Sequence, residues 1–190
     1  MANLIYSAIA SLDGYIEDPQ GRFEWGEPDE EVFRYLNQLE RPIGTYLYGR
    51  RMYETLSYWE SSPTGENVPE YVRDWAQIWR QAEKVVYSRT LEAFSTARTR
   101  IERSFDAEAI SILKATVNGD MSIGGADLAG QAIQAGLVDE FQLFAVPVIV
   151  GGGKPWLPRG TRLDLDLLDS HPFANGFVFL RYRTARGAQP

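Results

Sequence analysis

A short apolar run that ends in two glycines carries the strongest chemical signal in this sequence. Residues 121–123 are followed by Gly124 and Gly125, and a helix-like spacing of apolar residues begins directly afterwards. A strand that enters a helix through two glycines leaves backbone amides free at the positive end of the helix dipole, which suits a phosphate group. A tight connection without any ligand produces the same pattern. Taken alone, this turn leaves both interpretations open.

Two other predicted strands also end in polar turns. One turn contains Gly49, Arg50 and Arg51, and the other contains Ser88 and Arg89. In an open α/β sheet, ligands bind beyond the carboxyl ends of the strands, and arginine can hold a phosphate through two parallel hydrogen bonds. Each arginine by itself is also compatible with a solvated surface charge. The three turns together predict a site for a ligand with several phosphates, such as a dinucleotide.

Composition narrows the class of function. The chain has 190 residues, a net charge of −7, one histidine and no cysteine. Without cysteine, disulfides and thiolate chemistry are excluded, and with a single histidine we expect no metal site. An acidic chain without a dense basic block is not expected to bind nucleic acid or an anionic membrane. With no signal peptide and no membrane-length apolar run, we expect a cytoplasmic protein that binds a small molecule.

The spacing of apolar residues predicts alternating strands and helices, followed by paired strands. The predicted strands are residues 4–10, 45–48, 84–88, a weak one within 94–101, 121–123 and 140–146, and the predicted helices are 27–40, 50–56, 69–82, 106–117 and 126–135. In the last two runs, 163–168 and 177–182, apolar and polar residues alternate as they do in antiparallel strands. This order predicts an α/β fold with a mixed, mostly parallel central sheet, flanking helices and an antiparallel C-terminal hairpin, in a single domain over residues 1–190.

Several short motifs occur together in one order along the chain. They are Ser11-Leu12-Asp13-Gly14-Tyr15-Ile16, Leu47-Tyr48-Gly49-Arg50, Val85-Val86-Tyr87-Ser88-Arg89-Thr90-Leu91, Ile123-Gly124-Gly125-Ala126-Asp127-Leu128, Leu137-Val138-Asp139-Glu140, Pro147 and Gly151-Gly152-Gly153. In this order and over nearly its whole length, the chain resembles the dihydrofolate reductase fold. It resembles more closely the bacterial relatives that are akin to the reductase domain of riboflavin biosynthesis.

The resemblance implies an NADPH site. Gly49, Arg50 and Arg51 then correspond to the helix start beneath the pyrophosphate. Ser88 and Arg89 correspond to the residues that hold the phosphate on the adenosine ribose, and this correspondence favours NADPH over NADH.

The second pyrophosphate-binding helix start of the family corresponds to the glycine turn described first. Its residues here are Gly124, Gly125, Ala126 and Leu128. Asp127 lies among them, and a carboxylate close to a phosphate repels it. We therefore interpret Asp127 as an amide-capping or surface residue, not as a phosphate ligand.

Three residues are candidates for the substrate end of the site. Trp25 and Glu30 keep the spacing by which folate reductases place a tryptophan and their single acidic residue, and such a carboxylate can promote protonation of a substrate ring. Glu30 is also compatible with an exposed acid in the first turn of a helix. Asp13 either orients a polar ring at the substrate cleft or only begins a turn before Gly14.

One departure from the family separates this chain from a true folate reductase. Ala82 stands where those enzymes anchor the substrate's glutamate tail with an arginine. The resemblance therefore implies an NADPH-dependent reductase of another substrate, either a pterin- or pyrimidine-like heterocycle or an imine or carbonyl compound. Riboflavin synthesis itself is not assigned, because the sequence lacks the zinc-binding deaminase motif often joined to that reductase.

Two alternatives to catalysis remain at this stage. One is a dinucleotide- or antifolate-binding module without activity, and the other is a dimeric scaffold with a degenerate pocket. Relatives of this type are commonly homodimers. The apolar run 141–149 is compatible with a subunit interface, and equally with a strand buried inside the sheet.

Overall fold

The computed structural model describes residues 1–185. The strands are β1 Leu4–Ser11, β2 Tyr15–Glu17, β3 Ile43–Gly49, β4 Glu83–Tyr87, β5 Thr99–Glu102, β6 Asp120–Gly124, β7 Glu140–Val146, β8 Lys154–Pro155, β9 Leu165–Pro172 and β10 Val178–Thr184. The helices are α1 Glu30–Glu40, α2 Arg50–Leu56, α3 Tyr58–Ser61, α4 Glu70–Gln81, α5 Ala107–Thr116 and α6 Ala126–Gln134, and a 3₁₀ turn covers Glu24–Gly26.

Eight of the strands form one mixed sheet in the order β5-β4-β3-β6-β1-β7-β10-β9. The pairs from β5 to β7 are parallel, while β10 runs antiparallel to both β7 and β9. Strands β2 and β8 pair separately as a small antiparallel ribbon. This architecture confirms the predicted α/β fold, with its mostly parallel sheet and antiparallel C-terminal hairpin.

Helices cover both faces of the parallel part of the sheet, which explains why its strands are continuously apolar. On one face, Leu4, Leu47 and Met121 are fully buried beneath α5 and α6. On the other face, side chains of β3 such as Tyr46 pack against Trp79 of α4. Among the described residues, no helix is long and apolar enough to cross a membrane.

The first helix begins later than its sequence pattern predicts. The Asp29 carboxylate accepts a hydrogen bond from the amide of Val32 at 3.0 Å, so α1 starts at Glu30 rather than at residue 27. The predicted start at residue 27 is therefore wrong, and Pro28 precedes the helix, because a side-chain cap decides where a helix begins. The apolar spacing predicted the helix but could not choose among three neighbouring acidic residues.

Most of the apolar run 141–149 is a strand inside the sheet. Up to Val146 it forms β7, which lies between β1 and β10, and Phe141 and Phe144 are fully buried. Up to Val146 the run is therefore an interior strand, which accounts for its buried apolar residues without a subunit interface.

Glu40, the last residue of α1, is a buried carboxylic acid. Only 7% of its surface is exposed, and its Oε2 has no hydrogen-bond partner within residues 1–185. Burial raises the pKa of Glu40 to about 7, and the nearby Tyr46 hydroxyl offsets only part of that effect. The folded protein therefore holds the neutral acid at a pH where the unfolded chain has lost the proton.

This raised pKa predicts a pH dependence of stability. Glu40 contributes fully to stability below its unfolded pKa, and the contribution is lost as the pH rises through the folded value. Between about pH 5 and about pH 8, we expect it to lower the free energy of unfolding by on the order of 3 kcal/mol. Urea unfolding of wild type and Glu40→Gln at both pH values tests this, because glutamine does not ionise. An equal pH dependence in the two proteins would contradict it.

Candidate functional site at the carboxyl edge of the sheet

Three of the sequence-predicted turns lie on neighbouring parallel strands. Gly49 is the register partner of Tyr87, and Tyr48 is the partner of Gly124, so β4, β3 and β6 end side by side. A methyl group placed on Gly125 would lie 3.9 Å from the backbone nitrogen of Gly49. The turns after β3 and β6 are therefore adjacent, and the turn after β4 flanks them.

The two helices that start at these turns have no side-chain caps. Gly49 precedes α2 and Gly125 precedes α6, whereas Asp29 caps α1 and Asp106 caps α5. Gly125 has a φ of +94°, a conformation that residues with a Cβ rarely adopt. The first amides of α2 and α6 are thus left free of capping side chains, as an anion-binding edge requires.

Small residues let these turns approach closely. A Cβ on Gly124 would meet Tyr48 Cδ1 at 3.0 Å and Met52 Cε at 3.2 Å. Ala126 and Leu128 are buried, and Leu128 packs into the core beneath the sheet. Ala126 and Leu128 can therefore contribute to a ligand only through their backbone amides.

The predicted arginines are exposed at this edge. Arg50 has a distant partner in Glu54, at 3.7 Å. The guanidinium groups of Arg51 and Arg89 take part in no hydrogen bond or ion pair within residues 1–185. Arg51 lies in the first turn of α2, and Arg89 follows β4. Since exposed arginines add little to folding stability, their positive charge is available to an anion.

Ser88 shapes the loop after β4. Its hydroxyl accepts hydrogen bonds from the amides of Thr90, at 3.2 Å, and Leu91, at 2.9 Å. Arg103 donates to the carbonyl oxygens of Ser88 and Leu91 and holds the same loop from β5's side. Arg103 was not predicted as a site residue, although an arginine directly after a strand is the same signal that identified Arg89.

A cleft of about 240 Å³ opens beside this loop. It begins at Tyr87 and Glu102, the last residues of β4 and β5, which are register partners. Arg100 and Ser104 also line it, and α5 forms its opposite wall. The sequence analysis did not identify this cleft, because no pattern in the chain links the ends of β4 and β5 to α5.

The end of β1 offers a second open feature. Pairing of β1 with β6 stops at Tyr6, whereas its pairing with β7 continues to Ser11. Among the described residues, 7–11 therefore have a strand neighbour on one side only. Their other backbone edge faces the region beyond Gly124, where no strand within residues 1–185 pairs with it.

Asp13 holds two loops together next to this open edge. Its carboxylate accepts hydrogen bonds from the amides of Val150, at 3.1 Å, and Gly151, at 2.8 Å. Hydrogen bonds from the Ser11 hydroxyl and from these amides lower the pKa of Asp13, so the group is ionised. The contacts match the turn interpretation of Asp13, and a direct role in substrate binding stays a prediction.

Of the other two candidates for the substrate end, Trp25 packs against the core and Glu30 lies on the surface. Trp25 lies in the 3₁₀ turn, donates its indole N–H to the Arg22 carbonyl at 3.1 Å, and packs in the same cluster as Ile9 of β1. Glu30 is exposed and forms an ion pair with Arg34 at 2.9 Å. Arg34 also contacts Glu70 of α4. Trp25 is thus near the end of β1, while Glu30 belongs to a surface ionic network.

Residues 147–156, hereafter the strap, cross the end of β1. The strap is attached by three contacts: the Leu12 amide to the Val148 carbonyl at 2.8 Å, the Trp156 amide to the Gly14 carbonyl at 3.1 Å, and the Tyr6 hydroxyl to the Trp156 carbonyl at 2.7 Å. Tyr6 and Trp156 also stack, with ring centroids 5.8 Å apart. Burial, and then the charge of Asp127, raise the pKa of the Tyr6 hydroxyl, so it stays a hydrogen-bond donor.

The strap also brings a cation to the start of α6. Lys154 Nζ lies 2.7 Å from a carboxylate oxygen of Asp127. Asp127 is thus a surface residue, as predicted, and its charge is compensated. The lysine after three glycines was present in the sequence, but nothing in the spacing indicated which helix it would reach. Within residues 1–185 no cluster of His, Asp and Glu suits a metal ion.

Comparison with known proteins gives a consistent result. A model described as the RibD C-terminal domain matches residues 2–179. The uncharacterized protein YyaP of Bacillus subtilis (strain 168) is 30% identical over 183 residues, which cover 94% of this chain and 93% of the relative. A putative riboflavin biosynthesis protein from Shewanella sp. PV-4 has a TM-score of 0.76 at 19% identity, covering 98% of this chain and 100% of that chain.

A fourth comparison is with a reductase of the same fold. The dihydrofolate reductase of Enterococcus faecalis, solved in complex with NADP(H) and RAB-propyl, has a TM-score of 0.64 at 14% identity, and the match covers 96% of each chain. At this identity the likeness establishes the shared fold, and it confirms the resemblance inferred from the sequence motifs.

Proposed function

This chain belongs to the RibD C-terminal domain family, and from that premise we propose that it is a reductase that uses NADPH. The observation that carries the proposal is the meeting of two uncapped helix starts, at Gly49 and Gly125, beside the Ser88 loop. Exposed arginines flank both features. A stability role does not account for glycine caps and exposed arginines that have no close ionic partner among the described residues, whereas a ligand with several phosphates does.

The residues at this edge fit the parts of NADPH. Backbone amides at the starts of α2 and α6 would hold the diphosphate, with Arg50 and Arg51 supplying positive charge. Arg89 and the ordered Ser88 loop would hold the phosphate on the adenosine ribose, and the cleft beginning at Tyr87 offers a wall for the adenine ring. The charge on Arg89 is the feature that would favour NADPH over NADH.

The open edge of β1 suits the nicotinamide end. Backbone groups of residues 7–11 without a strand partner can bond to a carboxamide, which carries both a donor and an acceptor. When bound, the cofactor supplies the hydride. The protein's own contribution is to orient the two rings and exclude water, for which few catalytic side chains are needed.

For the substrate we propose a pterin- or pyrimidine-like heterocycle, or an imine or carbonyl compound. Trp25 would form a wall of its pocket, and Asp13 would keep the adjoining loops in place. Glu30 would have to leave Arg34 to contact a substrate. Ala82 is buried, so its position offers no anchor for an anionic tail. We also propose a homodimer, as in related reductases.

Fluorescence titration with NADPH, followed by assays of NADPH oxidation across pterins, pyrimidinones and imines, tests this function. We expect binding at micromolar concentration, about −8 kcal/mol, and oxidation with at least one substrate class. Tight binding without oxidation anywhere in the panel would favour the alternative of a dinucleotide- or antifolate-binding module. Absence of binding at that concentration would exclude both.

A further inference from the structure

Lys154 places a positive charge where a helix dipole is already positive. Its ammonium contacts Asp127, the second residue of α6, and its side chain is 26% exposed while that of Asp127 is 86% exposed. A cation at a helix N-terminus is unfavourable unless an anion lies close by. An exposed ion pair contributes little to stability, so the pair with Asp127 is a weak reason for a lysine here.

The position of Lys154 is set by the strap and not by Asp127 alone. The preceding residue, Gly153, lies so close to Glu17 that a Cβ would overlap its carbonyl oxygen. Lys154 itself pairs with Glu17 in the small ribbon of β2 and β8. Two residues further on, Trp156 is bonded to Gly14. The backbone on both sides of Lys154 is therefore fixed, and its ammonium is directed to the start of α6 before any ligand binds.

We propose that Lys154 is a diphosphate-binding residue and that Asp127 holds its ammonium in place until the ligand arrives. This inference rests on the proposed function, because it assigns a role within the same cofactor site. Asp127 alone would repel phosphate at Gly125. Lys154 cancels that charge and offers its remaining N–H donors to the diphosphate, since an ammonium has three.

A simpler role for the pair makes the opposite prediction. If the ion pair only fastens the strap to α6, loss of either partner breaks the same contact, and both losses weaken ligand binding equally. If Lys154 binds the diphosphate, loss of the lysine leaves an uncompensated carboxylate at the site, whereas loss of the carboxylate leaves a free cation. Loss of the lysine then weakens ligand binding, and loss of the carboxylate does not.

Four proteins separate these roles: wild type, Lys154→Met, Asp127→Asn and the double variant, with Lys154→Arg as the conservative control. We expect Lys154→Met to weaken NADPH binding about tenfold, and Asp127→Asn to leave it unchanged or strengthen it. The double variant should recover part of the lost affinity, and Lys154→Arg should retain most of it. Raising the salt concentration should shrink these differences, because Asp127 is exposed. Equal weakening by both single substitutions would overturn the proposal.

A second readout keeps this inference distinct from the proposed function. Inorganic pyrophosphate should raise the thermal unfolding midpoint of wild type more than that of Lys154→Met. If wild type binds pyrophosphate in this way but does not bind NADPH, the proposed cofactor is wrong and the role of Lys154 stands. If NADPH binds while the substitutions follow the fastening pattern, only the role of Lys154 is wrong. Binding of neither probe overturns both.

Discussion

Replacement of both Arg50 and Arg89 by alanine should abolish most of the affinity for NADPH. Each guanidinium is exposed, and neither is committed to a strong ion pair, since Arg50 lies 3.7 Å from Glu54 and Arg89 has no partner within residues 1–185. A hydrogen bond to a charged group contributes about 1.5–3 kcal/mol. Solvent lowers this at an exposed site, so we expect roughly tenfold weaker binding for each substitution and about a hundredfold for both.

The two arginines should differ in their effect on cofactor choice. Arg50 would interact with the diphosphate that NADPH and NADH share, so Arg50→Ala should weaken both. Arg89 would interact with the additional ribose phosphate, so Arg89→Ala should weaken NADPH binding about tenfold and change NADH binding little. Fluorescence titrations with both nucleotides measure this.

Arg183→Ala is a matched control for these titrations. Arg183 is an exposed arginine on β10 and pairs with Asp166 at 3.2 Å. Its register partner is Glu140, the first residue of β7, so it lies at the edge of the sheet opposite the ends of β3, β4 and β6. Its removal changes net charge by the same amount without touching the proposed site. If Arg183→Ala weakens NADPH binding as much as Arg89→Ala, the effect is one of overall charge, and the assignment of Arg89 is wrong.

Gly153→Ala should be among the most destabilising single substitutions in the protein. Gly153 has a φ of +118°, and an added Cβ would overlap the Glu17 carbonyl and lie 2.7 Å from the carbonyl carbon of Asp18. These are backbone atoms at the end of β2, where Glu17 pairs with Lys154, so they cannot rotate away as a side chain can. The combined overlap and backbone strain should lower the free energy of unfolding by about 3 kcal/mol or more.

Gly151→Ala separates strain from overlap on the same strap. Gly151 has a φ of +74°, but an added Cβ there would meet no atom within 4 Å. It should cost only the conformational strain, about 1 kcal/mol. Urea unfolding of both variants measures the difference. If Gly153→Ala lowers the free energy of unfolding no more than Gly151→Ala does, the strap can move to accommodate the added Cβ. The argument that the backbone fixes the position of Lys154 would then be wrong.

The fold followed closely from local patterns in the chain. Continuous apolar runs such as residues 4–10 predicted strands buried on both faces, and alternation in the last quarter predicted the antiparallel pair. These patterns are informative because burial on a given face requires a given period of apolar residues. The short helix α3 and the ribbon of β2 and β8 were not predicted, since elements of two to four residues have too few positions to show a period.

The candidate site was predicted only in part, and the division has a physical cause. The turns at Gly49, Ser88 and Gly124 could be recognised from glycines or arginines that follow predicted strands. They could be grouped into one site because the ends of parallel strands meet at one edge of a sheet. Glu30 illustrates the opposite case. Its place in the chain matched a family pattern, but the structure directs its carboxylate to Arg34 on the exposed surface of α1. The family pattern does not show which way the side chain points.

By itself, then, the sequence determined the order of strands and helices and the backbone chemistry of three turns, because both depend on residue types close together in the chain. Only the tertiary structure decided that Lys154 reaches Asp127, that Asp13 holds Val150 and Gly151, and that β1 continues beyond β6. Each of these contacts joins segments distant in the chain. Their meeting depends on strand register and on the path of the strap, which no local pattern records.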